Sequence, residues 1–124
     1  MPSNALFKTH LAILKDDDAD LGKKGKAAIF FRDQARQGND IAAAVPLLLQ
    51  LYGECHQVPV MAPAADAVVL QYLRLGDYAS IIAFIQNDTA KMFSLESVGR
   101  IVESGEDITP LFPLLLQNTV SKTF

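Results

Sequence analysis

The hexapeptide VPLLLQ, residues 45–50, returns later in the chain almost unchanged as FPLLLQ, residues 112–117. Each copy begins seven residues after a glycine, Gly38 and Gly105, that is followed by acidic residues. A weaker third copy opens with Gly76 and continues as IIAFIQ at 81–86. An internal repeat of this length is the sequence signature of a stacked repeat architecture, so it outweighs any local signal in predicting the fold.

Apolar residues recur at helical spacing through most of the chain, and no segment shows the alternation of a strand. Glycine suits the left-handed residue that ends a helix, and the aspartate after it suits the cap of the next helix. Pro59 and Pro63 are expected to keep residues 54–61 out of a helix. The pattern therefore predicts seven helices, at about 4–15, 21–37, 41–52, 62–75, 78–86, 90–104 and 108–118.

Helices joined by two or three residues fold back as antiparallel hairpins, and one amphipathic hairpin cannot cover its own apolar side. Stacking such hairpins buries that side. We therefore predict one all-α domain over residues 1–124: a right-handed α-solenoid of about three helical hairpins plus an N-terminal helix. Pro46 and Pro113 fall inside their predicted helices and are expected to bend them. The expected parts are a capping helix at 1–17, repeats at 18–54, 60–88 and 89–119, and a tail at 120–124.

The composition limits the classes of protein to which this chain can belong. The chain has 124 residues, half of them hydrophobic, which is enough for one stable core. Cys55 is the single cysteine, so no internal disulfide can form. The sequence shows neither a signal peptide nor an apolar run of about 18 residues, so we expect a cytoplasmic protein without a membrane span. A net charge of −3 argues against nonspecific nucleic-acid binding, which depends on the neutralisation of phosphates.

Three stretches, 27–52, 64–85 and 94–117, resemble HEAT-type repeats, especially the short bacterial kind first noted in phycobilisome lyases. The turn at 70–77 (LQYLRLGD) and the prolines at 46 and 113 carry the resemblance, which covers about residues 20–118. It implies a HEAT-like solenoid that binds another protein, and no catalytic chemistry. The capping aspartates are unequally spaced, 37 and 30 residues apart, and armadillo-like packing of the same hairpins is the alternative.

The motifs that could carry chemistry are incomplete. The acidic run at 16–20 lacks the distal glutamate of an EF-hand. Cys55 and His56 are adjacent, and adjacent residues rarely bind one metal ion. The glycines at 22 and 25 do not form a phosphate-binding loop. We therefore expect no catalytic residue, no metal site and no cofactor.

The leading hypothesis is a non-catalytic scaffold or adaptor that binds another protein through the second helix of each hairpin. Tyrosines often anchor interfaces. The expected partner-binding residues are Gln50, Tyr52, Tyr78, Gln86 and Gln117.

Two alternatives stay open on the same scaffold. The first is a protein that handles nucleic acid, a pigment or another ligand through a basic patch, formed by Lys23, Lys24, Lys26, Arg32 and Arg36. The second is an assembly module that forms a homodimer through its C-terminal apolar face, at Phe112, Leu115 and Leu116.

Overall fold

The computed structural model describes residues 4–55, 57–88 and 93–105, together with the single residues 109 and 113. Within these residues there are six α-helices, one short 3-10 turn and no strand, which confirms the all-α prediction. The predicted seventh helix at 108–118 and the tail at 120–124 lie outside them, apart from the two single residues. The helices are α1 (Asn4–Lys15), α2 (Leu21–Arg36), α3 (Val45–Glu54), α4 (Val58–Leu75), α5 (Tyr78–Asn87) and α6 (Phe93–Glu103), with the 3-10 turn at Ala42–Ala44 before α3.

Glycine ends three of these helices in the same way. Gly38, Gly76 and Gly105 follow α2, α4 and α6, and each has a positive φ, of 89°, 69° and 97°. A residue with a Cβ is strained in this conformation, so the glycines stop the helices where the sequence predicted. Asp77 then caps α5, because its carboxylate accepts a hydrogen bond from the Ser80 amide at 3.1 Å.

The predicted start of α4 is wrong. The helix begins at Val58, four residues before the prediction, and continues through Pro63. Pro59 lies in the first turn, where a missing N–H costs little. Pro63 removes one internal hydrogen bond, but α4 is buried along most of its length, and this burial outweighs the loss.

The predicted position of Pro46 inside a helix is also wrong. The chain first forms the 3-10 turn, and α3 begins only at Val45, so Pro46 occupies the first turn of the helix. Proline is well suited to that position and does not interrupt the helix there. Pro46 and its counterpart Pro113 are both exposed.

Helix α4 is the centre of the molecule, in contact with α2, α3, α5 and α6. It runs parallel to α2. At one end Gly25 faces Val60, and at the other end the Arg74 side chain donates hydrogen bonds to the carbonyls of Ala35 and Arg36. Parallel neighbours of this kind are expected where successive hairpins stack in the same direction.

Helices α3 and α5 also meet. The rings of Tyr52 on α3 and Phe84 on α5 pack edge to face, with centroids 5.2 Å apart. Helix α1 covers the other side of α2, where the rings of Phe7 and Phe31 pack edge to face at 5.1 Å. The core thus lies along α2 and α4 and is flanked by α1, α3, α5 and α6.

Gly25 is a point of close approach between α2 and α4. A Cβ at this position would lie 3.2 Å from the Val60 side chain, so Gly25→Leu is expected to overpack the interface and cost about 1–3 kcal/mol of unfolding free energy. The matched control is Gly53→Ala on α3, where no atom lies within 4 Å of an added Cβ. Since alanine favours helix, this control is expected to add about 1 kcal/mol. Urea unfolding followed by circular dichroism measures both, and a Gly25→Leu protein as stable as the native one would contradict the close approach.

Candidate interaction surface

The predicted partner-binding residues lie in different environments. Gln50 on α3 and Gln86 on α5 are exposed, and the Gln50 side chain donates a hydrogen bond to Glu54 at 3.1 Å. Tyr78 is half-buried against the core. Gln117 lies outside the described residues. The surface position expected for Tyr52 is wrong, because only 5% of this residue is exposed.

The exposed residues of α3 and α5 follow the same pattern with an offset of 33 residues. Within each helix they recur at intervals of three or four, so they occupy one face. The two helices meet through the buried rings of Tyr52 and Phe84. We call this surface the α3–α5 strip; it consists of Pro46, Gln50, Gly53, Glu54, Ala79, Ala83, Gln86 and Asn87.

A buried polar cluster lies beneath one end of the strip. The Tyr52 hydroxyl donates a hydrogen bond to the carboxylate of Asp88 at 2.5 Å. The same carboxylate accepts from the backbone amide and the hydroxyl of Ser94, at 2.9 and 2.6 Å. Asp88 therefore links α3, the end of α5 and the first turn of α6.

A second buried carboxylate links α4 to α6. Asp66 is 4% exposed and accepts hydrogen bonds from the guanidinium of Arg100, the shortest at 2.8 Å. Arg100 also donates to the Ser97 hydroxyl at 3.0 Å. The hydrogen bond to Asp66 raises the pKa of Arg100 above its ordinary value, so the guanidinium stays charged.

Two further sets of hydrogen bonds join α4 to α2 and to the segment that follows α2. The buried amide of Gln71 accepts a hydrogen bond from the Ile41 amide at 3.1 Å and donates one to Asp40 at 2.7 Å. Arg74 caps α2, because its guanidinium donates to the last carbonyls of that helix. The pKa of the half-buried Tyr72 phenol is raised above its ordinary value, mainly by burial and secondly by the negative charge of Asp77.

The five residues of the predicted basic patch do not share one surface. Arg32 and Arg36 both lie near the carboxylate of Asp33, at 3.2 and 3.9 Å, so their charge is partly neutralised. Lys23 precedes Arg32 by nine residues, which places it on the opposite side of α2. Lys23 and Lys26 are exposed, and Lys24 is half-exposed.

The other candidates for metal binding or reactivity are Cys55, His56 and the acidic run at 16–20. Among the residues that the structure describes, no three His, Cys, Asp or Glu side chains come together as a metal site. The buried thiol of Cys55 accepts a hydrogen bond from the Gln57 amide at 3.3 Å, and the neighbouring His56 is outside the described residues. In the acidic run, Asp16 accepts from the Asp18 amide at 2.9 Å and so closes a local turn. Among all the helices that the structure describes, none has both the length and the apolar character needed to cross a membrane.

Sequence reasoning missed the polar residues at the junctions between helices. Asp66 carried a usable signal, because a carboxylate within the apolar run at 64–70 requires a partner when that run is buried. Its partner, Arg100, lies 34 residues further on. Ser94 and Ser97 gave no comparable signal, since serine is common on exposed helix faces.

Comparison with protein-family models, with curated proteins and with solved structures found no match to this chain.

Proposed function

We propose that the protein is a non-catalytic scaffold of the cytoplasm, built as a short HEAT-like solenoid, that binds another protein through the α3–α5 strip. The solenoid is supported by three hydrogen bonds between side chains that are similarly far apart in the sequence. Gln71 bonds to Asp40, Tyr52 to Asp88 and Arg100 to Asp66, across separations of 31, 36 and 34 residues. Each separation is close to one repeat, as stacked hairpins require.

The observation that carries the binding hypothesis is the matching pattern of exposed residues on α3 and α5, two helices whose buried rings are in contact. Four of the eight residues in the strip are Pro46, Gly53, Ala79 and Ala83. Short side chains leave the helix backbones close to the surface, so a partner can pack against them without displacing long side chains. The amides of Gln50, Gln86 and Asn87 supply donors and acceptors along the same strip.

The strip is nearly uncharged, since Glu54 is its one ionisable residue. An interface of this composition depends on packing and neutral hydrogen bonds, and its affinity changes little with salt. Binding through the basic residues of α2 would instead weaken steeply as salt rises, because it depends on the neutralisation of phosphates or other anions.

The test is affinity capture with the tagged full chain from a lysate of its source organism, at low and high salt, comparing Ala83→Arg with Ala12→Arg. Both alanines are exposed on helices, but Ala83 lies in the strip and Ala12 lies on α1. We expect the native chain and Ala12→Arg to retain the same protein at both salt concentrations. Ala83→Arg is expected to retain roughly tenfold less of it, because a buried arginine without a partner is costly at an interface. Unchanged thermal unfolding of both variants shows that the fold is intact.

Other results of this capture would contradict the proposal in specific ways. Equal retention by both variants would remove the strip as the binding surface. Recovery of nucleic acid or a pigment that is lost at high salt would favour the ligand-handling alternative and its lysines. Retention of the chain itself would favour the homodimer, whose predicted residues Phe112, Leu115 and Leu116 lie outside the described part of the chain.

A further inference from the structure

The exposed face of α1 is basic. This helix contains no acidic residue, and its two lysines, Lys8 and Lys15, are both exposed. They are seven residues apart, which is nearly two helical turns, so they lie on the same face of the helix. Ala12 lies between them, four residues after Lys8, and is exposed as well. The face therefore presents two positive charges with a short side chain between them.

The exposed face of α6 has the opposite charge and the same spacing. Glu96 and Glu103 are exposed and are also seven residues apart. Gly99 lies between them, four residues before Glu103, and an added Cβ there would meet no atom within 4 Å. The single cation of α6, Arg100, pairs with buried Asp66 at 2.8 Å and lies 4.0 Å from Glu96, so it offsets only part of the negative charge.

These two faces belong to different ends of the molecule. The helices α1, α2, α4 and α6 form a row in which each packs on the next. The exposed faces of the first and last helices of this row are therefore accessible to neighbouring copies of the chain. A contact between two different faces is heterologous, and it links copies into open chains or rings.

From the matching charges and spacings we infer that copies of this chain associate head to tail, with α1 of one copy packed antiparallel on α6 of the next. The antiparallel register pairs Lys8 with Glu103, Ala12 with Gly99 and Lys15 with Glu96. A parallel register would also pair lysines with glutamates, but it would place Ala12 opposite Arg100. The two small residues at the centre of the antiparallel register let the helices approach closely.

The acidic run at 16–20 follows Lys15 and favours the same direction. Antiparallel packing places the run beside the first turn of α6, which begins at Phe93. The amino end of a helix carries a partial positive charge, so negative groups are favourable there. In a parallel register the run would lie near Glu103 at the carboxyl end of α6, where both the carboxylate and the helix dipole would repel it.

Sedimentation equilibrium of the purified full chain tests this association without a partner protein, so its result is independent of the proposed scaffold function. Exposed ion pairs contribute little each, so we expect a weak association in which the average mass rises with protein concentration at low salt. In about 1 M salt charges are screened beyond about 3 Å, and the chain should be monomeric. A homodimer through the apolar residues Phe112, Leu115 and Leu116 would instead persist, because burial of apolar surface does not weaken in this way.

Charge reversal identifies the two faces. Lys8→Glu with Lys15→Glu is expected to lower the low-salt association constant at least roughly tenfold, since each attractive pair becomes a repulsive one. Glu96→Lys with Glu103→Lys is expected to have the same effect. An equimolar mixture of the two double variants should regain association, because opposite charges then face each other at every contact. This recovery also shows that both variants are folded.

Two matched controls complete the test. Lys23→Glu with Lys26→Glu makes the same change in net charge on exposed residues of α2 and should leave association unchanged. Gly99→Gln fills the centre of the α6 face, so it should abolish association without lowering thermal stability, whereas Gly53→Gln on α3, where an added Cβ is equally free, should retain it.

The inference is overturned if the native chain stays monomeric at low salt, or if its association survives 1 M salt. It is also overturned if the first charge-reversed variant associates like the native chain, if its lysine control loses association equally, or if the mixture of reversed variants stays monomeric.

Discussion

Replacing Phe31 by alanine is expected to lower the free energy of unfolding by about 3–5 kcal/mol. Phe31 is 0% exposed and is the largest side chain buried to this extent. Its ring packs edge to face against Phe7 of α1 at 5.1 Å and against Phe30 at 5.2 Å. The substitution would remove one of the ring contacts between α1 and α2 and would leave a cavity in the core.

The neighbouring residue Ile29 provides the control. It lies two positions away on α2, but 38% of it is exposed. Ile29→Ala is therefore expected to cost about 1 kcal/mol, less than Phe31→Ala, because more than a third of the residue is already exposed to water. Urea unfolding followed by circular dichroism compares the two variants. Equal losses would show that Phe31 is not at the centre of the core, and that α1 does not pack on α2 as described.

The ends of the helices were the part of the fold that could best be predicted from the sequence. The positive φ of Gly38 and Gly76 and the cap of Asp77 are local properties, which a single sequence expresses directly. The start of α4 was not accessible in this way. Pro59 and Pro63 predict a later start when only local propensity is considered, whereas the burial of most of α4 decides the outcome.

The surface was harder to predict than the fold, because exposure depends on contacts between residues that are distant in the sequence. Gln50 and Gln86 were predicted to be exposed and are exposed. Tyr52 was predicted on the same surface because tyrosines often anchor interfaces. The hydroxyl is instead buried against Asp88, 36 residues away, and the sequence gives no local sign of that pairing. The other members of the strip, Ala79 and Ala83 among them, have no functional signature as residue types.

Tyr52→Ala is the second substitution with a large expected effect. Tyr52 is nearly as buried as the core leucines; its ring packs on Phe84 and its hydroxyl bonds to Asp88. Removing the aromatic ring should cost about 3–5 kcal/mol, as for other buried aromatic residues. Tyr52→Phe keeps the ring and removes the hydroxyl, so it should cost about 1–3 kcal/mol, the typical penalty for a buried acceptor that loses its donor.

Comparing the two variants by urea unfolding separates the packing of the ring from the hydrogen bond. If Tyr52→Ala were as stable as the native chain, the ring would have to be exposed, and the residue would again be a candidate for direct contact with a partner. With the expected loss, any weakening of partner binding by Tyr52→Ala follows from disruption of α3, α5 and the Asp88 cluster beneath the strip. Ala83→Arg is therefore the appropriate probe of binding, since it alters the surface above the same helices and leaves their buried contacts intact.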